Sequence, residues 1–387
     1  EKGSAQRLKK FLAEGELKYK VAMEELIYRP SLSWFEFARP NVISGAIKSN
    51  ILSSMSAYIR GFFKDPRLIA LMEFPVIFLG AMPDKIPALY SLMNYSAFSQ
   101  GTWYPQGGMF KIIEAMKELA SSLHVKFNTG APVQQIIAAG NKTLGLNVKG
   151  ATYASDAVIA SADYHHVEQN LLKTEERNYS PAYWKKKTMA PSCLIFYIGV
   201  NKKLKNLIHH NLFFDSDFNK HASQIYQKPA WPDDPLFYVC CPSKTDDTVA
   251  PEGHENVFIL IPLAAGLEDS IAEQEIVFEK VMRRLEAVCD EKVQQHIVYK
   301  RNYCVNDFVN DYNAFRGNAY GLANTLRQTA VFKPSVRNKN LNNLFYTGQL
   351  TVPGPGVPPA IISGKIAAAQ AGAYLRSVNK TIKKEKV

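Results

Sequence analysis

The sequence predicts an α/β protein in which one α/β domain is divided by an inserted second domain that has a mixed or antiparallel sheet and helices. Three observations predict this fold class. Helical periodicity fills the first hundred residues, a helix followed by short strands comes next, and a strand, a loop rich in Gly and Pro and an Ala-rich helix follow near the C-terminal end. The length of 387 residues is also too great for one ordinary core, so two or three domains are expected.

The composition is that of a folded globular protein. Its apolar share is 47%, and 21% of its residues are charged, which excludes a disordered or collagen-like chain. Lys and Arg number 46 against 35 Asp and Glu, which gives a formal charge of +11. The basic doublets, such as Lys9-Lys10 and Lys202-Lys203, are scattered instead of being concentrated on one element, so no nucleic-acid partner is predicted.

The N-terminal hundred residues are predicted to be mostly helical. Apolar residues recur at helical spacing over residues 43–62, and the pattern stops before Asp65-Pro66 because proline cannot continue a helix. The longest apolar stretch, residues 68–82, is interrupted by Glu73 and Pro75 and is shorter than the roughly 20 residues that cross a bilayer. No transmembrane helix is therefore expected.

The rest of the chain is predicted to contain both helices and strands. A helix face from Met109 to Leu123 is followed by predicted strands, and the middle of the chain has strands and then one helix. The predicted strands are residues 125–127, 133–139, 143–148, 193–200, 236–241, 257–262 and 343–347, and the later helices are residues 270–289 and 359–375.

The order of these predicted helices and strands predicts the domain bounds. The α/β domain consists of two segments that are separate in the sequence. The inserted domain, which has its own sheet, lies between them in the sequence. The predicted bounds are a helical region at 1–100, a first part of the α/β domain at 101–165, an inserted domain at 166–310, a second part of the α/β domain at 311–378 and a solvated tail at 379–387.

The most informative stretch is NLFYTGQLTVPGPGVPPAIISGKIAAAQAG, residues 343–372. A buried strand that passes through a stiff loop into a helix brings backbone N–H groups against a flat or anionic cofactor. Gly354 and Gly356 have no Cβ, so a ring system can approach the main chain, and Pro358 presets φ for the first turn of the helix. The alternative, a tight loop before a packed helix without any ligand, explains the same residues equally well.

The run YTGQLTVPGPGVP, residues 346–358, resembles the C-terminal FAD-binding signature of the bacterial and fungal carotenoid desaturases, the phytoene desaturase family. Further stretches resemble the same family, in its order, across nearly the whole chain. They are FPVIFLGAMPDKIPALYSL (74–92), GTWYPQGGMFKIIEAM (101–116), DAVIASADYHH (156–166), HHNLFFDSDF (209–218), DPLFYVCCPSKTDDTVAPEGHENVFIL (234–260) and RGNAYGLANTLRQTA (316–330).

The resemblance implies a discontinuous FAD-binding domain of Rossmann type, with FAD as the cofactor. The family begins with a βαβ unit that carries G-x-G-x-x-G, and this sequence has no such motif. We therefore expect that unit upstream of Glu1. The residues that the resemblance assigns to the cofactor are Val133, Gly348, Gln349, Gly354, Gly356, Val357 and Pro358, although a plain core strand explains Val133 equally well.

The implied activity is the desaturation of phytoene or a similar linear carotenoid, with hydride passing to the flavin and a proton to an acid/base residue. In SLSWFEFARP, residues 31–40, the resemblance aligns Glu36 and Arg39 with an acidic residue and an arginine that the family has close to the flavin. Their separation of three residues puts them on one side of a helical turn. The alternative is an exposed ion pair worth about 0–1 kcal/mol.

A carotenoid hydrocarbon has no polar atoms, so its selection depends on the length and shape of an apolar tunnel. Aromatic and aliphatic residues between Ile27 and Tyr95 are candidates to line it, with core packing as the alternative for each. Such a substrate hardly exists free in water. We therefore expect a cytoplasmic protein that docks peripherally on a membrane, where its positive charge favours an anionic leaflet. The oligomeric state is not predicted.

Several alternatives stay open at the level of sequence. Related carotenoid isomerases, saturases, ketolases and hydroxycarotenoid desaturases differ mainly in tunnel shape. A flavin amine oxidase would need an aromatic cage and a polar substrate path, for which the sequence has no pattern. A non-catalytic lipid-binding chain is the remaining alternative.

Neither a metal site nor a disulfide framework is predicted. The five cysteines are odd in number and have no C-x-x-C spacing. The pairs His165-His166 and His209-His210 lack further ligands at metal spacing. Cys240-Cys241 lies in an apolar run and is expected to pack as two small buried side chains.

Overall fold

The structure is a computed structural model that describes residues 1–36 and 53–385. Its longer helices, labelled α1 to α8, are Ser4–Val21, Met55–Phe62, Pro66–Glu73, Phe110–Ser122, Phe218–Tyr226, Ile271–Cys289, Val305–Tyr312 and Val357–Glu385. Its strands, labelled β1 to β10, are Val133–Ala139, Lys142–Val148, Ala151–Ala154, Val158–Ala160, Ser192–Val200, His210–Phe213, Phe237–Cys240, Glu255–Leu263, Ile297–Tyr303 and Leu344–Tyr346.

Shorter helical segments connect these elements. They are Ala22–Leu26, Trp34–Glu36, Phe74–Leu79, Ala88–Ser91, Leu92–Tyr95, Ser96–Gln100, Tyr164–His166, Val167–Leu171, Thr174–Glu176, Pro181–Lys185, Pro242–Lys244, Gln294–His296, Phe315–Gly317, Leu326–Gln328 and Ala330–Phe332.

The described part of the N-terminal hundred residues is helical, as the periodicity predicts. Local capping sets the helix bounds, since the Ser54 hydroxyl accepts a bond from the Ala57 N–H and Asp65 caps α3 with Pro66 in its first turn. Apolar side chains of α1 to α3 share one core that includes Phe11 and Ile59. The first part of the predicted helix at 43–62 lies outside the described residues.

A five-stranded antiparallel sheet with the order β6-β7-β8-β5-β9 forms the largest core. Helix α6 covers one face, and its residues Val281 and Leu285 pack against inward-facing residues of β5 and β8, such as Phe196 and Ile259. Alternate residues of β5, including Ile195, enter a second cluster, so this strand is buried on both faces. This sheet agrees with the antiparallel sheet predicted for the middle of the chain.

Strands β4 and β10 form a parallel pair although about 180 residues separate them, with Tyr346 opposite Ala160. The Tyr346 ring stacks on Tyr164 at a centroid distance of 3.9 Å. Helix α8 begins shortly after β10, so the loop between them emerges beside Ser161 at the carboxyl end of the parallel pair. A separate antiparallel sheet has the order β1-β2-β3. The mixture of helices with parallel and antiparallel sheets confirms the α/β class.

One local prediction was wrong. Residues 125–127 form no strand, because the Val125 N–H bonds back to the Ala120 carbonyl and His124 has a φ of 65°, which together close the end of α4. Helix α8 continues into the predicted solvated tail as far as Glu385.

Candidate functional site

A cavity of about 1640 Å³ lies between the N-terminal helical region and the C-terminal loop. This volume exceeds the roughly 300–1,000 Å³ of common ligand pockets. Its described walls are mostly aliphatic and aromatic. They include Tyr19, Val21, Ala22, Met23, Leu26, Ile27, Leu79, Leu89, Tyr90, Leu92, Met93, Trp103, Leu326, Val331, Phe332, Val352, Pro353, Pro355, Gly356, Pro358 and Pro359.

The loop between β10 and α8 forms one end of this cavity. Gly354 and Gly356 have φ values of 135° and 111°, which L side chains rarely adopt, so glycine is required at both positions. The Ser363 hydroxyl of α8 accepts a hydrogen bond from the Gly348 N–H at 2.9 Å and lies 2.6 Å from the Thr347 hydroxyl. These contacts fix the loop against its own helix and leave bare main chain at the cavity.

Two buried polar side chains converge on Gly354. A Cβ added there would lie 3.4 Å from Lys333 Nζ and 3.5 Å from Asn324 Oδ1. Both atoms are buried, and neither has a hydrogen-bond partner among the described residues. Unpaired polar atoms of this kind are rare in folded proteins because each costs about 1–3 kcal/mol. A polar ligand group at this point would pair both atoms.

The segment that carries these two residues is anchored on both sides. The Asn324 N–H donates to the Leu79 carbonyl at 2.7 Å. Gln328 bonds both to the Thr188 N–H and to its carbonyl, at 3.1 and 2.8 Å.

The pKa of the Lys333 amine is lowered to about 8, mainly by burial and also by the nearby charge of Lys187. The group is therefore mostly charged at neutral pH but close to losing its proton. A lysine in this state stabilises an anion and accepts or donates a proton with little change in pH.

The residues predicted for the cofactor are only partly brought together. Gly356 and Pro358 line the cavity, Val357 begins α8 beside them, and a Cβ added at Gly354 would meet the Lys333 amine. Gly348 and Gln349 lie at the start of the loop, where the Gln349 amide donates to Asn318 Oδ1 at 3.1 Å. Val133 is in β1 and packs against the core that contains Tyr346.

Glu36 and Arg39 differ in what the structure describes. The Glu36 carboxylate accepts hydrogen bonds from the N–H groups of Ser31, Leu32 and Ser33, at 3.0, 2.7 and 3.1 Å. It therefore fixes the turn that precedes it, and both Ser31 and Trp34 of that turn line the cavity. Arg39 lies outside the described residues.

Exposed aromatic side chains belong to the two segments that line the cavity around residues 31–35 and 96–103. Trp34 and Trp103 line the cavity and yet have exposed fractions of 62% and 88%, and Phe35 and Phe98 of the same segments are 85% and 49% exposed. We call these four residues the aromatic rim. Large exposed aromatic groups of this kind mark contact surfaces for proteins or membranes.

Sequence reasoning missed Lys333 and Asn324. They lie nine residues apart in a segment without periodicity, and neither belongs to a motif with a stated mechanism. The resemblance of residues 316–330 to the family was the one available signal, since it includes Asn324 and ends three residues before Lys333.

The bare loop, the two buried polar groups without partners among the described residues and the apolar cavity fit the flavin that the sequence resemblance implies. The flavin ring system is flat and carries polar atoms at its edge, so it suits both the missing Cβ atoms and the unpaired Lys333 and Asn324. The donor set includes an amine that favours negative charge, which suits a group that accepts electrons.

Comparisons with known proteins identify the family to which the chain is similar. The model of the family described as flavin containing amine oxidoreductase matches residues 7–371. A carotenoid 3,4-desaturase of Haloarcula japonica is 37% identical over 369 residues, which are 95% of this chain and 74% of that protein. A zeta-carotene-forming phytoene desaturase of Myxococcus xanthus is 30% identical over 370 residues, 95% of this chain and 71% of that protein. An oxidoreductase structure from Methanosarcina mazei has a TM-score of 0.56 at 18% identity, covering 88% of this chain and 74% of that one.

Proposed function

The chain belongs to the flavin-containing amine oxidoreductases and, within them, to the carotenoid desaturases, and from this membership we propose that it removes hydrogen from a linear carotenoid hydrocarbon. It is an FAD-dependent oxidoreductase. The observation that carries the proposal is the large apolar cavity that ends on the loop between β10 and α8. The apolar walls suit a long hydrocarbon, and the bare main chain of the loop suits a flat cofactor beside it.

FAD, when bound, supplies the acceptor for a hydride that leaves an unactivated C–H bond. The main chain of Gly354 and Gly356 would lie against it, with Val357 and Pro358 at the first turn of α8. Lys333 and Asn324 would contribute their unpaired polar atoms. Gly348 and Gln349 would hold the part of the cofactor nearer the parallel strands, as would Val133.

The remaining residues bind and orient the substrate. An apolar hydrocarbon offers no hydrogen bonds, so side chains such as Leu89, Met93 and Phe332 would hold it by shape and exclude water. Exclusion of water strengthens the electrostatic effect of Lys333 on negative charge in the cavity. Because its lowered pKa of about 8 is still above neutral pH, Lys333 keeps its positive charge there and can stabilise this negative charge.

Glu36 remains our candidate for the proton that leaves the neighbouring carbon, with Arg39 as its partner. The three N–H donors of its own turn hold the carboxylate in one orientation, and a carboxylate with about four lone-pair directions can still accept a further proton. Glu36→Gln should lower the desaturation rate by about 10²–10⁴, the usual range for a general base. An unchanged rate removes Glu36 from the mechanism.

A flavin amine oxidase is the less favoured alternative. The described cavity lining includes Arg29, whose positive charge does not suit a positively charged amine. The activities of carotenoid isomerases, saturases, ketolases and hydroxycarotenoid desaturases are distinguished from the proposed activity only by the products that they form.

We also propose that residues 101–165 and 311–378 form one FAD-binding domain, with the substrate domain at 166–310 inserted and the helical region at 1–100 facing the membrane. The parallel pairing of β4 with β10 supports this division. Among the described residues, no helix combines the length and the apolar character that a membrane span needs. The aromatic rim and the formal charge of +11 support peripheral docking on an anionic leaflet, from which the substrate would enter.

The decisive experiment supplies the flavin-loaded protein with phytoene in liposomes and follows products by absorbance and mass. Desaturation removes two hydrogens at each step and extends the absorbing polyene. A product of unchanged mass indicates an isomerase, a gain of hydrogen a saturase and a gain of oxygen a ketolase. Oxidation of an added amine, without any loss of phytoene, would contradict the proposal.

A further inference from the structure

A second cluster of reactive side chains lies away from the cavity, at the edge of the five-stranded sheet. His210 is the first residue of β6 and the cross-strand partner of Cys240 in β7. His209 precedes β6, and the His209 carbonyl accepts a hydrogen bond from the Cys241 N–H at 2.8 Å. One ligand atom from each of His209, His210 and Cys240 lies within 4.8 Å of the others. The sequence predicts no metal site here because the cysteine is thirty residues away, and the strand pairing brings it alongside.

Both imidazoles are oriented by hydroxyl groups. His209 Nδ1 lies 2.6 Å from Thr245 Oγ1, and His210 Nδ1 lies 2.6 Å from the Tyr238 hydroxyl. Histidines that bind a metal commonly have their other nitrogen fixed in this way. His209 Nε2 is buried and has no hydrogen-bond partner among the described residues, so one nitrogen of the cluster is unpaired.

The geometry points to a binding site for a single thiophilic cation, Zn²⁺, held by His209, His210 and Cys240. Two neutral imidazoles and one thiolate are a donor set that zinc prefers, and three protein ligands leave a fourth position for solvent. Tetrahedral zinc holds its ligand atoms about 3.5 Å apart, so small side-chain rotations close the present separations.

A bound ion would stiffen a junction that reaches the cavity. The Tyr104 ring lies edge-on to His209 at 4.7 Å, and Gly107 and Gln106 both bond the Asp246 carboxylate, at 2.7 and 2.9 Å. Tyr104 directly follows Trp103 and Thr102, which line the cavity. Zinc would thus fix the strand edge on which this segment of the cavity wall rests.

The test is a zinc titration of the flavin-loaded, chelator-dialysed protein, with X-ray absorption at the zinc edge. We expect one tightly bound ion per chain, with one sulfur at about 2.3 Å and nitrogen at about 2.0–2.1 Å. Cys240→Ser should remove the sulfur and weaken zinc binding at least tenfold, and His210→Asn should weaken it similarly.

Two matched variants control for unspecific effects. Cys241→Ala changes the neighbouring cysteine, which bonds Ser243 and Glu255 instead, and His254→Asn changes a histidine outside the cluster. Both should bind zinc as the unmodified protein does. Zinc that does not saturate, or a zinc-edge spectrum without sulfur in the unmodified protein, overturns the assignment whether or not any variant folds.

Discussion

The five-stranded sheet and the C-terminal wall of the cavity are built on opposite principles. In the sheet, both faces of β5 are covered and α6 contributes seven buried side chains to the packing. In the wall, buried polar atoms of Lys333 and Asn324 have no hydrogen-bond partner among the described residues, and Asn324 lines the large cavity. The difference teaches that the sheet is stabilised mainly by packed apolar side chains, whereas the binding region leaves polar groups that a ligand can pair.

The largest effect is expected on the sheet side. Phe278 of α6 is 4% exposed and packs on Phe196 at a ring distance of 4.9 Å. Phe278→Ala should lower the free energy of unfolding by about 3–5 kcal/mol, because the removed ring leaves a cavity. Denaturant unfolding measures this loss, and Ile276→Ala, at an exposed position of the same helix, should change stability little. A change in flavin affinity of the folded Phe278→Ala protein would break the comparison.

On the cavity side, Lys333→Met should act in the opposite direction. The folded pKa of Lys333 is about 8, below its ordinary value of 10.5, so the unfolded chain holds its proton more tightly. The flavin-free protein therefore loses stability as pH falls from 10.5 to 8, by up to about 3 kcal/mol, and the full loss persists below pH 8.

Lys333→Met removes this loss, so the flavin-free variant should be more stable than the unmodified chain at pH 7 and equally stable above pH 10.5. Its flavin affinity should fall roughly tenfold or more because a charged hydrogen-bond donor is missing. Unfolding curves at the two pH values and a flavin titration measure both effects. Lys228→Met, at an exposed lysine, is the control. Lower stability of Lys333→Met at pH 7 would show that the buried amine serves the fold.

Gly354→Ala sharpens the comparison at the main chain. The φ of 135° is strained for alanine by about 1–3 kcal/mol, and the added methyl group would approach Lys333 and Asn324. We expect roughly tenfold weaker flavin binding, measured by quenching of flavin fluorescence. Gly61→Ala is the matched control, since a Cβ there meets open space. Equal affinity of the two variants would separate the loop from the cofactor.

The smallest effect concerns the aromatic rim. Trp103 is 88% exposed, so Trp103→Ala should leave stability unchanged while it reduces binding to anionic liposomes by roughly tenfold, or about 1.5 kcal/mol of buried apolar surface. Sedimentation with liposomes measures it, and Tyr312→Ala, at a residue 64% exposed on α7, is the control. If both variants sediment alike, the rim does not mediate docking.

The sequence predicted most elements of the sheet because periodicity and β-branched runs report burial directly. It predicted the loop at residues 348–358 because glycine and proline encode backbone geometry locally. It did not predict that Lys333 and Asn324 lie close to Gly354, or that His210 pairs with Cys240, because each depends on tertiary burial or strand register, which no local pattern contains.

It also erred at residues 125–127. Val125 and Phe127 favour a strand, but the Val125 N–H instead bonds the Ala120 carbonyl at the end of α4. A local preference lost to a neighbouring helix end, as is common for short apolar runs.

The parallel contact between β4 and β10 has a consequence for synthesis. Residue 344 leaves the ribosome long after residue 158, so the antiparallel sheet between them can close first while β4 still lacks its neighbour. The cavity wall is therefore assembled last, and an interrupted translation product that stops before about residue 357 would present a folded sheet with no place for the cofactor.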